Sequence, residues 1–173
     1  MRPNNGVQMS AWRRHLISRV SPLAICRHVA TAIIQEISNV SASLLSFLGF
    51  LSWTLALLLL MEVIRSKLVI TGEVAANGFT PTNAGQSPFM QRLARAHANC
   101  LEGLPLFGGF MLLAVVAGKS HITDPLAYVV LVARIAQSII HLASASPAAV
   151  TMRFLAFVVQ LGIAVYWAFR LAG

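Results

Sequence analysis

An all-α integral membrane protein, built as a four-helix bundle, is the fold class this sequence predicts, and three observations predict it. Of the 173 residues, 57% are apolar and only 10% charged, against about 25% charged in an ordinary soluble domain. Mean hydropathy is +0.75, which excludes a soluble globular domain and a disordered tail. The apolar residues gather into four runs of about the 20 residues that cross a hydrocarbon core. One long and two short connections join them, so successive helices run antiparallel. The net charge of +8 would suggest nucleic acid in a soluble protein. In a membrane protein the same excess marks loops facing anionic lipid headgroups or an Arg-rich leader, and no nucleic-acid partner is expected. Cys26 and Cys100 match no metal or redox spacing, and no metal is expected.

Residues 1–40 differ in composition from the four-helix membrane domain expected over 41–173. They hold Arg2, Arg13, Arg14, Arg19 and Arg27 against one acid, Glu36. A basic tail on anionic lipid, translation from an upstream start codon, a cleaved transit leader and a surface helix all suit that composition.

The first span reads from about Leu44 to Ile64, with Arg65 and Lys67 closing it as interfacial anchors. Thr71 to Ser87, with Gly72, Gly78, Gly85 and Pro81, reads as an aqueous loop. Ser87-Pro88 starts the next helix: a hydroxyl at the N-cap, then proline where no N–H is needed. The second run extends from about Phe89 to Ala117, its first half too polar to face lipid. Thr123-Asp124-Pro125 is expected to open the third span, which runs to about Ala143. Ser144-Ala145-Ser146-Pro147 breaks the chain before the fourth, about Val150 to Leu171, which ends near Tyr166, Trp167 and Arg170. Arg65, Lys67, Arg92 and Arg95 place the first loop on the cytoplasmic side, whereas the five arginines of 1–40 argue the reverse unless that segment is removed or untranslated.

Ionisable groups inside a span cost roughly 2.5–3.5 kcal/mol each on insertion scales, so they usually face the bundle interior. Arg92, Arg95, Asn99 and Glu102 fall within an arc of about 80° on one helix face. Arg134, Gln137, Ser138 and His141 share one face of the third helix, and Arg153, Gln160 and Trp167 recur at intervals of seven on the fourth. Such stripes suit a small anionic peptide of the glutathione type. Arginines would fork onto carboxylates, Glu102 would take an ammonium, and Asn99 would pair with a peptide group. Another anionic metabolite would fit as well. Each stripe also has a structural reading: an Arg92–Arg95–Glu102 ion-pair lock, hydrogen bonds from Arg134 and Ser138 to backbone or neighbouring side chains, and interhelical hydrogen bonding by Gln137 and by Gln160. His97, on the far side of its helix, and Cys100 read as structural, and Glu62 as the i,i+3 partner of Arg65.

The run from Gln91 to Phe107, with the pattern RxxRAxxNxxExxPxF, resembles the signature of the MAPEG family, membrane-associated proteins in eicosanoid and glutathione metabolism. The resemblance covers about 44–171 and not 1–40. It implies a homotrimer with a glutathione site between subunits. Arg95, Asn99 and Glu102 match glutathione-binding positions, Arg92 opens the motif, and Arg134 matches an arginine of the third helix. Arg153 resembles the arginine that stabilises the glutathione thiolate and is the expected catalytic residue, after a small insertion in the alignment. His141 stands where several catalytic members have tyrosine, and Ala98 where some have arginine. Ser138 and His141 complete the expected glutathione-binding set.

Two functions are therefore expected. One is an enzyme in which glutathione, as co-substrate, attacks a lipophilic electrophile or a lipid hydroperoxide arriving from the bilayer. The other is a non-catalytic bundle whose stripes serve assembly or bind an anionic metabolite or lipid. A transporter fits less well, because no pair of Gly/Pro-broken helices is evident.

Overall fold

The computed structural model describes residues 40–173 together with Arg27, and residues Ser41–Gly173 form one compact unit. The readings of the basic segment 1–40 otherwise lie outside the described residues.

Helix α1 spans Ala42–Ile70, capped by the Ser41 hydroxyl, which accepts from the Leu44 N–H. At about 1.5 Å per residue it is roughly 43 Å long, more than the ~30 Å hydrocarbon core. It runs six residues past the expected end at Ile64, because Leu68, Val69 and Ile70 extend its apolar side and nothing breaks it before Gly72, at φ +72°. Arg65 and Lys67 therefore lie on the helix and do not terminate it.

Helix α2 spans Pro88–Val116. Ser87 caps it by accepting from the Met90 N–H, as the Ser-Pro start implies. Residues Leu104–Gly108 form a π-helical turn. Pro105 has no N–H for the Leu101 carbonyl, and a wider turn absorbs that loss. Gly118, at φ +67°, ends the segment.

Helix α3 spans Ser120–Ala143, three residues earlier than expected, with Pro125 inside it. Asp124 does not cap its own helix. Its carboxylate accepts from the Ser43 N–H (2.8 Å) and Ser43 hydroxyl (2.7 Å) at the start of α1, where a negative group stabilises the positive helix end. Helix α4 spans Pro147–Ala172, capped by Ser146, which accepts from the Ala149 N–H. The 71–87 and 144–146 connections lie at one end of the bundle and 117–119 at the other.

The four helices are long and apolar enough to cross a membrane: this is a multi-pass membrane protein. Its polarity is inverted relative to a soluble bundle. Leu48, Leu55, Val63, Val132, Phe154 and Phe169 are exposed on the outside, as lipid-facing residues should be. The interior holds an apolar core (Phe50, Leu57, Leu93, Phe107, Met111, Trp167) together with Thr123, Arg134, Gln137, Ser138 and Gln160.

The long connection folds around Arg65. Its Nε and one Nη donate to Asn83 Oδ1 at 3.1 and 2.6 Å, that Nη also donates to the Thr80 carbonyl, and the other reaches Glu62 at 3.1 Å. Asn83 is fully buried, sits in the left-handed region at φ 52°, and donates to the Met90 carbonyl at 3.0 Å. One arginine thus ties the end of α1 to the start of α2. Arg65 pairs with Glu62, as expected.

Candidate functional site

The expected site residues all lie in the half of the bundle nearest the 71–87 and 144–146 connections. Counting about 1.5 Å per residue from the helix ends, His141, Arg92, Arg95 and Arg153 fall within roughly 10 Å of that end. Arg134, Asn99 and Glu102 lie deeper, at roughly 14–21 Å. The outer layer is cationic, and the inner layer mixes a cation, an amide and a carboxylate.

Arg134 is the centre of the inner layer. It is 2% exposed, and its guanidinium lies between the Phe50 and Phe107 rings, 5.3 and 5.2 Å from their centroids. One Nη donates to the Asn99 carbonyl at 3.1 Å, while Nε and the other Nη, both buried, have no hydrogen-bond partner among the described residues. Two ring contacts contribute about 0.5–2 kcal/mol each, and each orphaned donor costs about 1–3 kcal/mol, more when it carries charge. Together with the Asn99 bond these contributions are of the same size as the cost, so the burial brings little or no net stability. Space for the guanidinium is made by Gly103, where an added Cβ would lie 2.4 Å from Nη2 and 3.2 Å from Phe107 Cδ2. The π-helical turn begins at the next residue.

A cavity of about 180 Å³ opens beside this guanidinium, lined by Asn99, Glu102, Gln137, Leu106 and Phe157 as well as Arg134, Gly103 and Phe107. Phe107 and Phe157 meet edge to face, their centroids 6.5 Å apart. Leu106, Phe157 and Glu102 are exposed, so the cavity opens at the outer surface of the bundle. It offers the Arg134 guanidinium and the Gln137 amide at its base, and the Glu102 carboxylate with apolar side chains at its mouth.

In the outer layer His141 lies in the combined positive field of Arg153, Arg95 and Arg92. Among the described residues the ion pair present is Glu62–Arg65, so Arg92, Arg95, Arg134 and Arg153 make none, and the expected ion-pair lock of Arg92, Arg95 and Glu102 does not form. Arg95 is exposed, and Arg92, His141 and Arg153 are half-buried. Arg92 Nε donates to the Leu142 carbonyl at 3.0 Å.

Some expected residues serve the scaffold. Ser138 donates to the Arg134 carbonyl at 3.0 Å and lies 3.5 Å from the buried Cys100 Sγ, so it packs inward at the back of Arg134. Gln160 donates to Gln137 Oε1 at 3.2 Å, so the interhelical bonding expected of each glutamine is met by the other. Gln137 also lines the cavity. His97 lies within electrostatic reach of Arg65 and Glu62, away from the Arg92 face. Phe107 closes the sequence pattern without a role read from it, and Phe50 and Gly103 were not singled out by the sequence. Their signal is three-dimensional: they matter only because Arg134 lies among them. Among the described residues no three His, Cys, Asp or Glu side chains gather to hold a metal ion.

The sequence pattern of the MAPEG family matches residues 41–173. No curated protein and no protein of solved structure matches the chain.

Proposed function

Because the chain belongs to the MAPEG family, we propose that the cationic half of the bundle binds glutathione and presents its thiolate to lipophilic substrates from the bilayer. The observation that carries this reading is Arg134: a fully buried guanidinium with two unpartnered N–H donors, beside a cavity that also offers Asn99 and Glu102. A carboxylate of the peptide would satisfy those donors by a forked, charge-assisted pair. Glu102 would take the ammonium, Asn99 a peptide group, and Arg95 with His141 the second carboxylate. Family membership favours glutathione over other anions of this size.

In this reading Arg153 is the catalytic residue. Its guanidinium would lower the free energy of the thiolate, the reactive form, and the proton would pass to solvent water. The sulfur would then form a C–S bond with an electrophilic carbon, either displacing a leaving group that departs with its bonding electron pair or adding to an activated double bond whose electron pair takes a proton from water. With a lipid hydroperoxide it would instead attack the terminal oxygen, releasing the lipid alcohol and leaving a glutathione sulfenic acid. A second glutathione would resolve that to the disulfide and water. The protein's contribution is charge stabilisation and the meeting of a polar and an apolar substrate in one place. The exposed Arg95 and the opening of the cavity at the outer surface favour a site completed by neighbouring copies, with the homotrimer as the assembly.

One observation favours the non-catalytic reading. Arg92 and Arg134 each spend a donor on a backbone carbonyl, as assembly residues would. Arg134→Met separates the two. If Arg134 is there for a ligand, the variant loses glutathione binding while the ligand-free protein is as thermostable as the wild type or more so, because an under-satisfied buried cation has been replaced by an apolar group. If Arg134 is an assembly residue, the variant is less thermostable and no glutathione dependence appears in either protein.

A further inference from the structure

The three-residue turn between α3 and α4 carries two of the proposed site residues at its edges. His141 lies in the last turn of α3 and Arg153 in the second turn of α4. Their placement relative to Arg95 and Asn99 on α2 depends on where α3 stops. The final carbonyls of a helix have no partner within it, and two of them can be traced here. Ile140 O accepts from the Ser144 N–H at 3.1 Å. The N–H that would continue the ladder to Leu142 O belongs to Ser146, and it donates instead to the Ser144 hydroxyl at 3.1 Å. Leu142 O is left to Arg92 Nε, at 3.0 Å from a helix 50 residues earlier in the chain.

We infer that Arg92 is a positioning residue: its Nε–H straps the C-terminus of α3 to α2 and so places His141 and Arg153 against Arg95 and Asn99. The inference rests on the glutathione reading for its functional meaning and assigns Arg92 a role distinct from direct ligand contact. A cation at the negative end of a helix is favourable as well. Charge and hydrogen bond are nevertheless separable, because glutamine Nε2 occupies the same position along its side chain as arginine Nε. Arg92→Gln keeps an N–H donor at the strap and removes the charge. Arg92→Met keeps the length and removes both.

The test compares wild type, Arg92→Gln and Arg92→Met in lipid nanodiscs, by glutathione titration and by hydrogen exchange over residues 140–146. The strap predicts faster exchange there in Arg92→Met, near wild-type exchange in Arg92→Gln, and glutathione affinity reduced about tenfold in Met but within about threefold of wild type in Gln. That factor of ten corresponds to about 1.4 kcal/mol, the upper end of what one ordinary hydrogen bond contributes. Equal loss of affinity in both variants would make Arg92 a charge contact and overturn the inference, as would unchanged exchange in Arg92→Met. If the wild type itself binds no glutathione, the glutathione reading fails, and the exchange comparison still decides whether the strap exists.

Discussion

Replacing Gly103 with alanine tests the inner layer of the site with one added methyl group. The new Cβ would stand 2.4 Å from Arg134 Nη2, 3.0 Å from its Cζ and 3.2 Å from Phe107 Cδ2. An arginine tip usually swings away cheaply, but this one is confined by the Phe50 and Phe107 rings and tied to the Asn99 carbonyl. Overpacking of this kind costs about 1–3 kcal/mol. Alanine gains about 1 kcal/mol over glycine in a helix, leaving a net loss of roughly 0–2 kcal/mol. Gly109→Ala on the same helix is the control, since its Cβ would meet nothing within 4 Å. The helix-propensity gain is common to both variants, so their difference isolates the contact with Arg134 at about 1–3 kcal/mol. Thermal unfolding in detergent, followed by tryptophan fluorescence, measures stability, and titration measures glutathione affinity. Gly103→Ala should be the less stable of the two and should bind glutathione at least tenfold more weakly. If the two variants unfold alike and bind alike, Arg134 has room to move, and the reading of the inner layer is wrong.

Further outcomes follow from other contacts. Asn83→Ala removes the acceptor of two Arg65 donors and the bond to the Met90 carbonyl. A loss of about 2–3 kcal/mol is expected from bonds of this type, seen as faster proteolytic nicking within 71–87 while the four spans stay intact. Asp124→Ala removes the carboxylate that accepts from Ser43 at the start of α1; a loss of about 1–2 kcal/mol is expected in thermal unfolding, by analogy with a deleted N-cap. A double-mutant cycle on Gln137→Leu and Gln160→Leu should give a coupling of about 0.6 kcal/mol, the average for a polar pair between membrane helices.

How much of this was legible in the sequence varied with the range of the interaction that decides each feature. The spans were readable because a membrane helix must satisfy its backbone internally, leaving long apolar runs as the visible trace. Ser87-Pro88 and Ser146-Pro147 were readable because capping is local. The start of α3 was misplaced because Asp124, which looks like its own helix's cap, serves α1 from about 80 residues away. The end of α1 was misplaced because Arg65 resembles a membrane-interface anchor, whereas its guanidinium holds Asn83 and Thr80 across the following loop. Helical spacing put Arg92, Arg95, Asn99 and Glu102 on one face. No spacing rule could show that Arg134 would be enclosed by two phenylalanine rings and a glycine, or that Arg92 would reach the last turn of α3. Those facts depend on how the helices pack.

The central claim concerns the state of a sulfur atom, and it is tested most directly by the ultraviolet absorbance of glutathione bound to the purified protein near neutral pH, with Arg153→Ala beside the wild type. The account predicts thiolate absorbance with the wild type, and its loss in Arg153→Ala with glutathione still bound through Arg134, Asn99 and Glu102. Bound glutathione whose thiol titrates as it does free in solution, in wild type and variant alike, would contradict it.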